Sequence, residues 1–259
     1  MSLTDYALVP AARRVLNLFL LVDTSGSMAG EKIAAVNDAI RNTIPIVKDI
    51  NDSNPDAEIK VSALTFSGAC QWTSPAPVEV DNFQWTDVFA NGWTAMGAAC
   101  CELNNKMSRA NGFLNSPSGC YAPVVIMLSD GAPTDDFESG MKALLNNNWF
   151  KHSTRVAIAI GNDACVDILK MFTGNIELVL RVHNIDALKT AIKVAVVTSS
   201  MIASQSSSVS VAANGQTASN PPTKAQMTAT AISSMAQGTS GLDVGDETLI
   251  SSMDFDEFD

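Results

Sequence analysis

Asp23, Ser25 and Ser27 stand two apart in the string Asp23-Thr24-Ser25-Gly26-Ser27. Side chains two apart along an extended loop point the same way, so one carboxylate and two hydroxyls can converge on a single point. Gly26 lets the backbone turn tightly between them. Such a set suits a hard cation that takes oxygen ligands. Alone, the string reads equally well as a helix-capping turn, since Asp and Ser favour those positions. Two further segments favour the cation. Gly92-Trp93-Thr94-Ala95-Met96-Gly97 sets a hydroxyl between a loop and a helix, and Leu128-Ser129-Asp130-Gly131 sets a carboxylate at the end of an apolar run.

Other groups have plainer readings. Asp135 and Asp136 are adjacent carboxylates, but the helix after them predicts capping, by Asp135 or Thr134, with Glu138 completing a capping box. A serine hydrolase needs a nucleophile beside a base. His152 and His183 are the only histidines, neither lies in a motif, and no G-x-S-x-G elbow is present. Walker A and G-x-G-x-x-G strings are absent, which leaves nucleotide binding without support. The five cysteines are an odd number without C-x-x-C spacing, and adjacent Cys100 and Cys101 suit neither a relaxed disulfide nor zinc. Inert thiols are the expectation.

The elements that must position the candidate ligands follow from the hydrophobic pattern. Val15–Val22 and Val124–Ser129 are nearly continuous apolar runs, the mark of strands buried on both faces. Ile59–Phe66, Arg155–Ile160 and Ile176–Val182 read as further strands, and Cys70–Val80 as a Pro-punctuated edge. Helical period appears over Lys32–Ile50 (with Pro45 a kink or break), Met96–Arg109, Phe137–Asn147, Ala164–Phe172 and Ile185–Ser199. Alternating strands and helices predict an α/β fold: a doubly wound, mostly parallel, Rossmann-like sheet with helices on both faces. In such sheets ligands sit beyond the carboxyl ends of the strands, where Asp23 and Asp130 fall. The expected organisation is an N-terminal segment over 1–14, a domain over 15–200, a flexible linker rich in Ser, Thr and Ala over 201–242, and an acidic tail over 243–259.

The chain carries a net charge of −11, with 46% hydrophobic and 17% charged residues. Acidity argues against nucleic acid and anionic membrane surfaces. Asp243, Asp246, Glu247, Asp254, Asp256, Glu257 and Asp259 crowd the tail, interspersed with Leu249, Ile250, Met253, Phe255 and Phe258. That segment reads as a solvated end, as an amphipathic docking element, as a phosphoacceptor through Thr248, Ser251 or Ser252, or as an occupant of the cation site. No secretory pattern opens the sequence and no apolar stretch reaches transmembrane length, so the expectation is a cytoplasmic protein.

The three motifs in this order resemble the metal-ion-dependent adhesion site (MIDAS) of von Willebrand factor A (vWA) domains, over residues 15 to 200. The resemblance implies that Ser25, Ser27 and Thr94 coordinate directly, that Asp23 and Asp130 do so directly or through water, and that the ion is Mg²⁺, with Mn²⁺ or Ca²⁺ as alternatives. It implies a non-enzymatic domain whose ion takes an Asp or Glu of a protein partner. DTSGSMAGEKIAAVNDAI and LSDGAPTDDF are similar to bacterial TerY-type vWA proteins associated with tellurite resistance and stress response, which implies signalling beside a Ser/Thr kinase and a PP2C-type phosphatase. Where that pattern commonly has glycine before the threonine, this chain has Trp93, either a wall beside the ion or a residue packed under the loop. The alternative functions are a kinase substrate acting through its tail, and a metal-dependent hydrolase using Asp130 or Asp136 as base.

Overall fold

Residues Arg14–Asp23 form β1, and every one after Arg14 is buried. A strand reads this way when helices cover both of its faces. Leu16, Leu18, Leu20 and Val22 enter one core, while Val15, Phe19 and Leu21 enter the other. The two-residue alternation of side chains thus feeds two cores from one strand.

The computed structural model of the protein describes residues 12–204 and 223–245. After β1 come α1 (Glu31–Ser53), β2 (Ala57–Phe66), β3 (Cys70–Trp72), β4 (Val78–Glu79), α2 (Met96–Lys106), β5 (Val124–Ser129), α3 (Phe137–Leu145) and α4 (Asn148–His152). Then follow β6 (Thr154–Ile160), α5 (Val166–Thr173), β7 (Val179–Val182), α6 (Ile185–Ser204), α7 (Lys224–Ala236) and β8 (Leu242–Val244). The sheet order is β3-β2-β1-β5-β6-β7-β8, with β4 also on β2. β2, β1, β5, β6 and β7 are mutually parallel, and β3, β4 and β8 pair antiparallel at the margins. Helices α1, α6 and α7 bury their apolar residues on one face. On the other face lie α2, α3, α4 and α5. The mostly parallel, doubly wound sheet expected from the sequence is the one observed.

From β1 the chain crosses to β2 on one side, and β5 takes the other side of β1. The direction of winding reverses between β1 and β5, so a crevice opens beyond their carboxyl ends. In register, Val22 lies opposite both Thr65 and Leu128, which brings Asp23 beside the end of β5.

Several boundaries differ from expectation. α1 runs through Pro45 without ending. Ile176–Leu178 form a 3-10 turn before β7, and α4 is an additional short helix. The largest correction concerns the linker expected over 201–242. Within that stretch α6 continues to Ser204, α7 occupies Lys224–Ala236, and Leu242 opens β8. Thr228, Ala229, Ile232 and Ala236 are buried, the last three within the core shared with α1 and α6. Thr223 closes a full capping box with Gln226 at the start of α7. Small residues suffice here because α6 supplies the opposing apolar surface. Asp243, expected in a solvated tail, belongs to β8 and meets His183 Nε2 at 2.9 Å. The remainder of the tail from Asp246, with Thr248, Ser251 and Ser252, lies outside the described residues.

Candidate metal centre

β1 ends at Asp23, whose side chain is buried but held at both oxygens. The Ser25 N–H donates to Oδ1 at 2.8 Å, and the Ser129 hydroxyl donates to Oδ2 at 2.6 Å. One donor comes from the turn that follows β1 and the other from the last residue of β5, so the pairing of the two strands fixes the carboxylate. Burial raises the Asp23 pKa above the usual carboxylate value, hydrogen bonds from Ser129 and Ser25 partly offset this, and the Asp130 charge adds to the rise.

A second loop is stitched onto the first. The Asn91 N–H donates to the Thr24 carbonyl at 2.8 Å and the Gly26 N–H to the Gly92 carbonyl at 2.9 Å. A Cβ on Gly26 would lie 3.3 Å from that carbonyl, so the missing side chain permits the approach. A third loop locks the second. The Thr94 N–H donates to Thr134 Oγ1 at 3.0 Å, and the Thr134 N–H returns a bond to the Thr94 carbonyl at 2.9 Å. Asp135 accepts from the Gly97 and Ala98 N–H groups at 2.9 and 2.8 Å, holding the exposed donors at the start of α2. The capping role expected of Asp135 or Thr134 at α3 falls instead to Asp136, which accepts from the Ser139 N–H at 3.1 Å. α2 begins where α3's preceding loop passes, so Asp135 serves the other helix.

The three loops bring the five candidate ligands together. Ser25 Oγ and Ser27 Oγ are 3.0 Å apart, and the Ser27 hydroxyl donates to Asp130 Oδ1 at 2.7 Å. A Cβ on Gly131 would stand 3.6 Å from Ser27 Oγ and 3.7 Å from Thr94 Oγ1, so both hydroxyls face the bare glycine after Asp130. Asp23, Ser25, Thr94 and Asp130 are buried, and Ser27 is exposed at the mouth.

Sequence reasoning missed two participants. Ser129, which sits beside a recognised Asp, orients Asp23. The Lys32 ammonium bonds Asp130 Oδ2 and stands 3.5 Å from Asp163 Oδ1. Partial burial works against the Lys32 charge, but Asp130 and Asp163 outweigh it and hold its pKa above the usual lysine value. Lys32 and Asp130 are 98 residues apart, so no local pattern announces the pair.

The donor set suits a hard divalent cation. It offers carboxylate and hydroxyl oxygens without sulfur or imidazole. Among the described residues no three His, Cys, Asp or Glu stand together as a metal-binding group. The charge of the candidate set rests on two carboxylates, Asp23 and Asp130.

No family model matches the sequence. Human inter-alpha-trypsin inhibitor heavy chain H4 is 29% identical over 139 residues, 51% of this chain and 14% of that protein. The H1 heavy chain of Mesocricetus auratus is 29% identical over 138 residues, again 14% of its length. The chain thus matches a small part of these relatives. Among solved structures, proximal thread matrix protein 1 from the mussel byssus, in a form with a zinc-occupied MIDAS motif, gives a TM-score of 0.53 at 16% identity, over 71% of this chain and 48% of that one. The ArnB paralog VWA2 from Sulfolobus acidocaldarius gives 0.51 at 17% identity, over 71% and 46%. The fold is that of a vWA domain.

On this vWA fold Trp93 is 74% exposed and Phe89 is 85% exposed, both on the loop that carries Thr94. The indole stands in solvent beside the candidate ligands, and of its two expected readings the packed one does not hold. All five cysteines are thiols, with Cys100 buried and Cys101 exposed on α2. Burial pushes the Cys70 thiol up to about 11, and nearby Glu102 and Asp135 add to that. Both effects favour the protonated thiol. His183 lies between Asn162 Oδ1 and Asp243 Oδ2. Among the described residues no helix is long and apolar enough to cross a membrane.

Proposed function

We propose that this chain is a non-enzymatic, protein-binding vWA domain that holds one divalent cation through Asp23, Ser25, Ser27, Thr94 and Asp130. A single observation carries the reading: five oxygen-bearing side chains from three loops meet beyond the carboxyl ends of β1 and β5. Asp23 and Asp130 supply negative charge, and the three hydroxyls supply neutral donors. Ser129 and the Ser25 N–H keep Asp23 aimed, so little reorganisation accompanies loading. A cation bound there would supply a hard Lewis acid that favours an anionic oxygen as a further ligand. The fitting partner group is an Asp or Glu carboxylate. Mg²⁺ is the ion proposed, on the hardness of the donors; Mn²⁺ and Ca²⁺ share that chemistry.

The finer reading is an adaptor in bacterial stress signalling, acting beside a Ser/Thr kinase and a PP2C-type phosphatase in the cytoplasm. It rests on the TerY-like phrases around Asp23 and Asp130. A cation alone tests the main proposal. Calorimetric titration of the full chain with Mg²⁺ and Mn²⁺ is expected to show one site, lost in Asp23→Ala while the far-UV spectrum is kept. Equal binding by wild type and Asp23→Ala would overturn it.

A further inference from the structure

Lys32 lies in the first turn of α1 and reaches across the site to Asp130 Oδ2, while Ser27 holds Asp130 Oδ1 at 2.7 Å. The Asp130 side chain is fully buried and that of Lys32 is 28% exposed, so the ion pair stands between the floor of the site and solvent. The ammonium leaves Oδ1 facing the hydroxyl cluster. It therefore contributes charge without taking the place of a ligand. Asp163, the other carboxylate near Lys32, has a side chain 76% exposed, where water and salt screen most of its effect.

The local balance is two buried carboxylates, Asp23 and Asp130, against one ammonium. Were Lys32 neutral, the carboxylates would cancel a divalent cation fully, and a further ligand would gain little from being charged. With Lys32 in place one positive charge stays uncompensated in a partly buried site, where screening is weaker than in water. We infer that Lys32 is a specificity-determining residue: its contact with Asp130 makes the loaded site select an anionic oxygen over a neutral one, at the expense of cation affinity. The inference rests on the cation-binding reading above and deepens it. A lysine serving only as a strap between α1 and β5 would leave the choice of ligand unchanged.

The test uses the full chain, Mn²⁺ as the metal, and acetate against acetamide as charged and neutral probes of one shape. Water-proton relaxation on the bound Mn²⁺ reports displacement of water by a probe. In Lys32→Met, Mn²⁺ is expected to bind about tenfold tighter because like-charge repulsion is removed, and the preference for acetate over acetamide to fall about tenfold. Lys32→Arg keeps the charge and is expected to keep both values. Lys32→Gln repeats the neutral case with a polar side chain, should the methionine variant not fold. An unchanged acetate preference in a neutral variant overturns the inference, whatever its Mn²⁺ affinity. If wild type binds Mn²⁺ no better than Asp23→Ala, the reading of the site falls first and takes this inference with it.

Discussion

Thr94 and Thr134 hold each other through two hydrogen bonds, one from the Thr94 N–H to Thr134 Oγ1 at 3.0 Å and one from the Thr134 N–H to the Thr94 carbonyl at 2.9 Å. The pair joins the loop before α2 to the loop after β5, so the backbone that presents the Thr94 hydroxyl is set by a residue that donates nothing to the site itself. Thr134→Val keeps the shape of the side chain and removes the acceptor. Loss of one partly buried hydrogen bond is expected to cost about 1 kcal/mol of stability. The larger effect falls on function, since residues that orient ligands commonly affect metal affinity by about tenfold or more. Mn²⁺ titration beside urea unfolding in EDTA measures both. Unchanged Mn²⁺ affinity would show that Thr94 is positioned without Thr134.

Asp23 supports a pH prediction. Its folded pKa is raised, chiefly by burial. As pH climbs through the unfolded value, the unfolded chain ionises first, so the metal-free protein loses stability until the folded pKa is passed. Asp23→Asn removes that penalty and can still accept from the Ser25 N–H. In EDTA at neutral pH this variant is expected to melt a few degrees above wild type, with the gap closing as pH falls below the ordinary carboxylate range. Added Mg²⁺ reverses the ranking, because only wild type is stabilised by binding. Calorimetric melting across pH, with and without Mg²⁺, reads the sign directly. A variant less stable than wild type at every pH would mean that the bonds from Ser129 and Ser25 outweigh desolvation.

Asp135 and Gly97 tie α2 to the same region. Asp135→Ala leaves the first N–H groups of α2 to water and is expected to cost about 1 kcal/mol, the range of a lost N-cap. Gly97 is stricter. A Cβ there would lie 2.3 Å from the Asp136 carbonyl, and one on Gly140 would lie 2.3 Å from the Gly97 carbonyl. α2 and α3 therefore meet backbone to backbone. Gly97→Ala must separate them and is expected to lose roughly 3 kcal/mol or more, the upper range of overpacking. Denaturant midpoints of the two variants test the order: the glycine variant should be far the less stable.

What was legible in the sequence follows from the kind of signal each part leaves. β1 and β5 announced themselves because a strand covered on both faces is apolar at nearly every position, from Val15 to Val22 and from Val124 to Leu128. The candidate ligands stood out as a group because Asp23, Ser25 and Ser27 share one loop, and Thr94 and Asp130 each sit at an element boundary. α7 was not, although Thr223 and Gln226 form a readable capping box. Its buried face is Thr228, Ala229, Ile232 and Ala236, too small and too mixed with Ser and Thr to show a helical stripe. Its stability comes from α6, a partner about thirty residues earlier in the chain. Lys32, on α1, escaped for the same reason, since its role is fixed by Asp130, just past the end of β5. Asp135 was read as serving the helix nearest in sequence, whereas the loop geometry delivers it to α2.

Trp93 offers a separation of stability from function. The indole is 74% exposed next to the buried Thr94, so it contributes little to the core. Trp93→Ala is expected to change unfolding free energy by less than about 0.5 kcal/mol, as for surface substitutions generally. A packed tryptophan would instead lose about 3–5 kcal/mol. Mn²⁺ affinity should also hold, because the Thr94 backbone is anchored by Thr134 and not by the indole. Binding to a partner is where the change should appear. Exposed aromatics beside a charged anchor are typical sites of concentrated binding energy. Peptides bearing Asp or Glu, selected from a displayed library on wild type in Mg²⁺, are expected to bind Trp93→Ala about tenfold more weakly. They should lose binding to wild type altogether in EDTA. Peptides that hold equally to both proteins in Mg²⁺ would place the recognition surface away from the Trp93 side of the site.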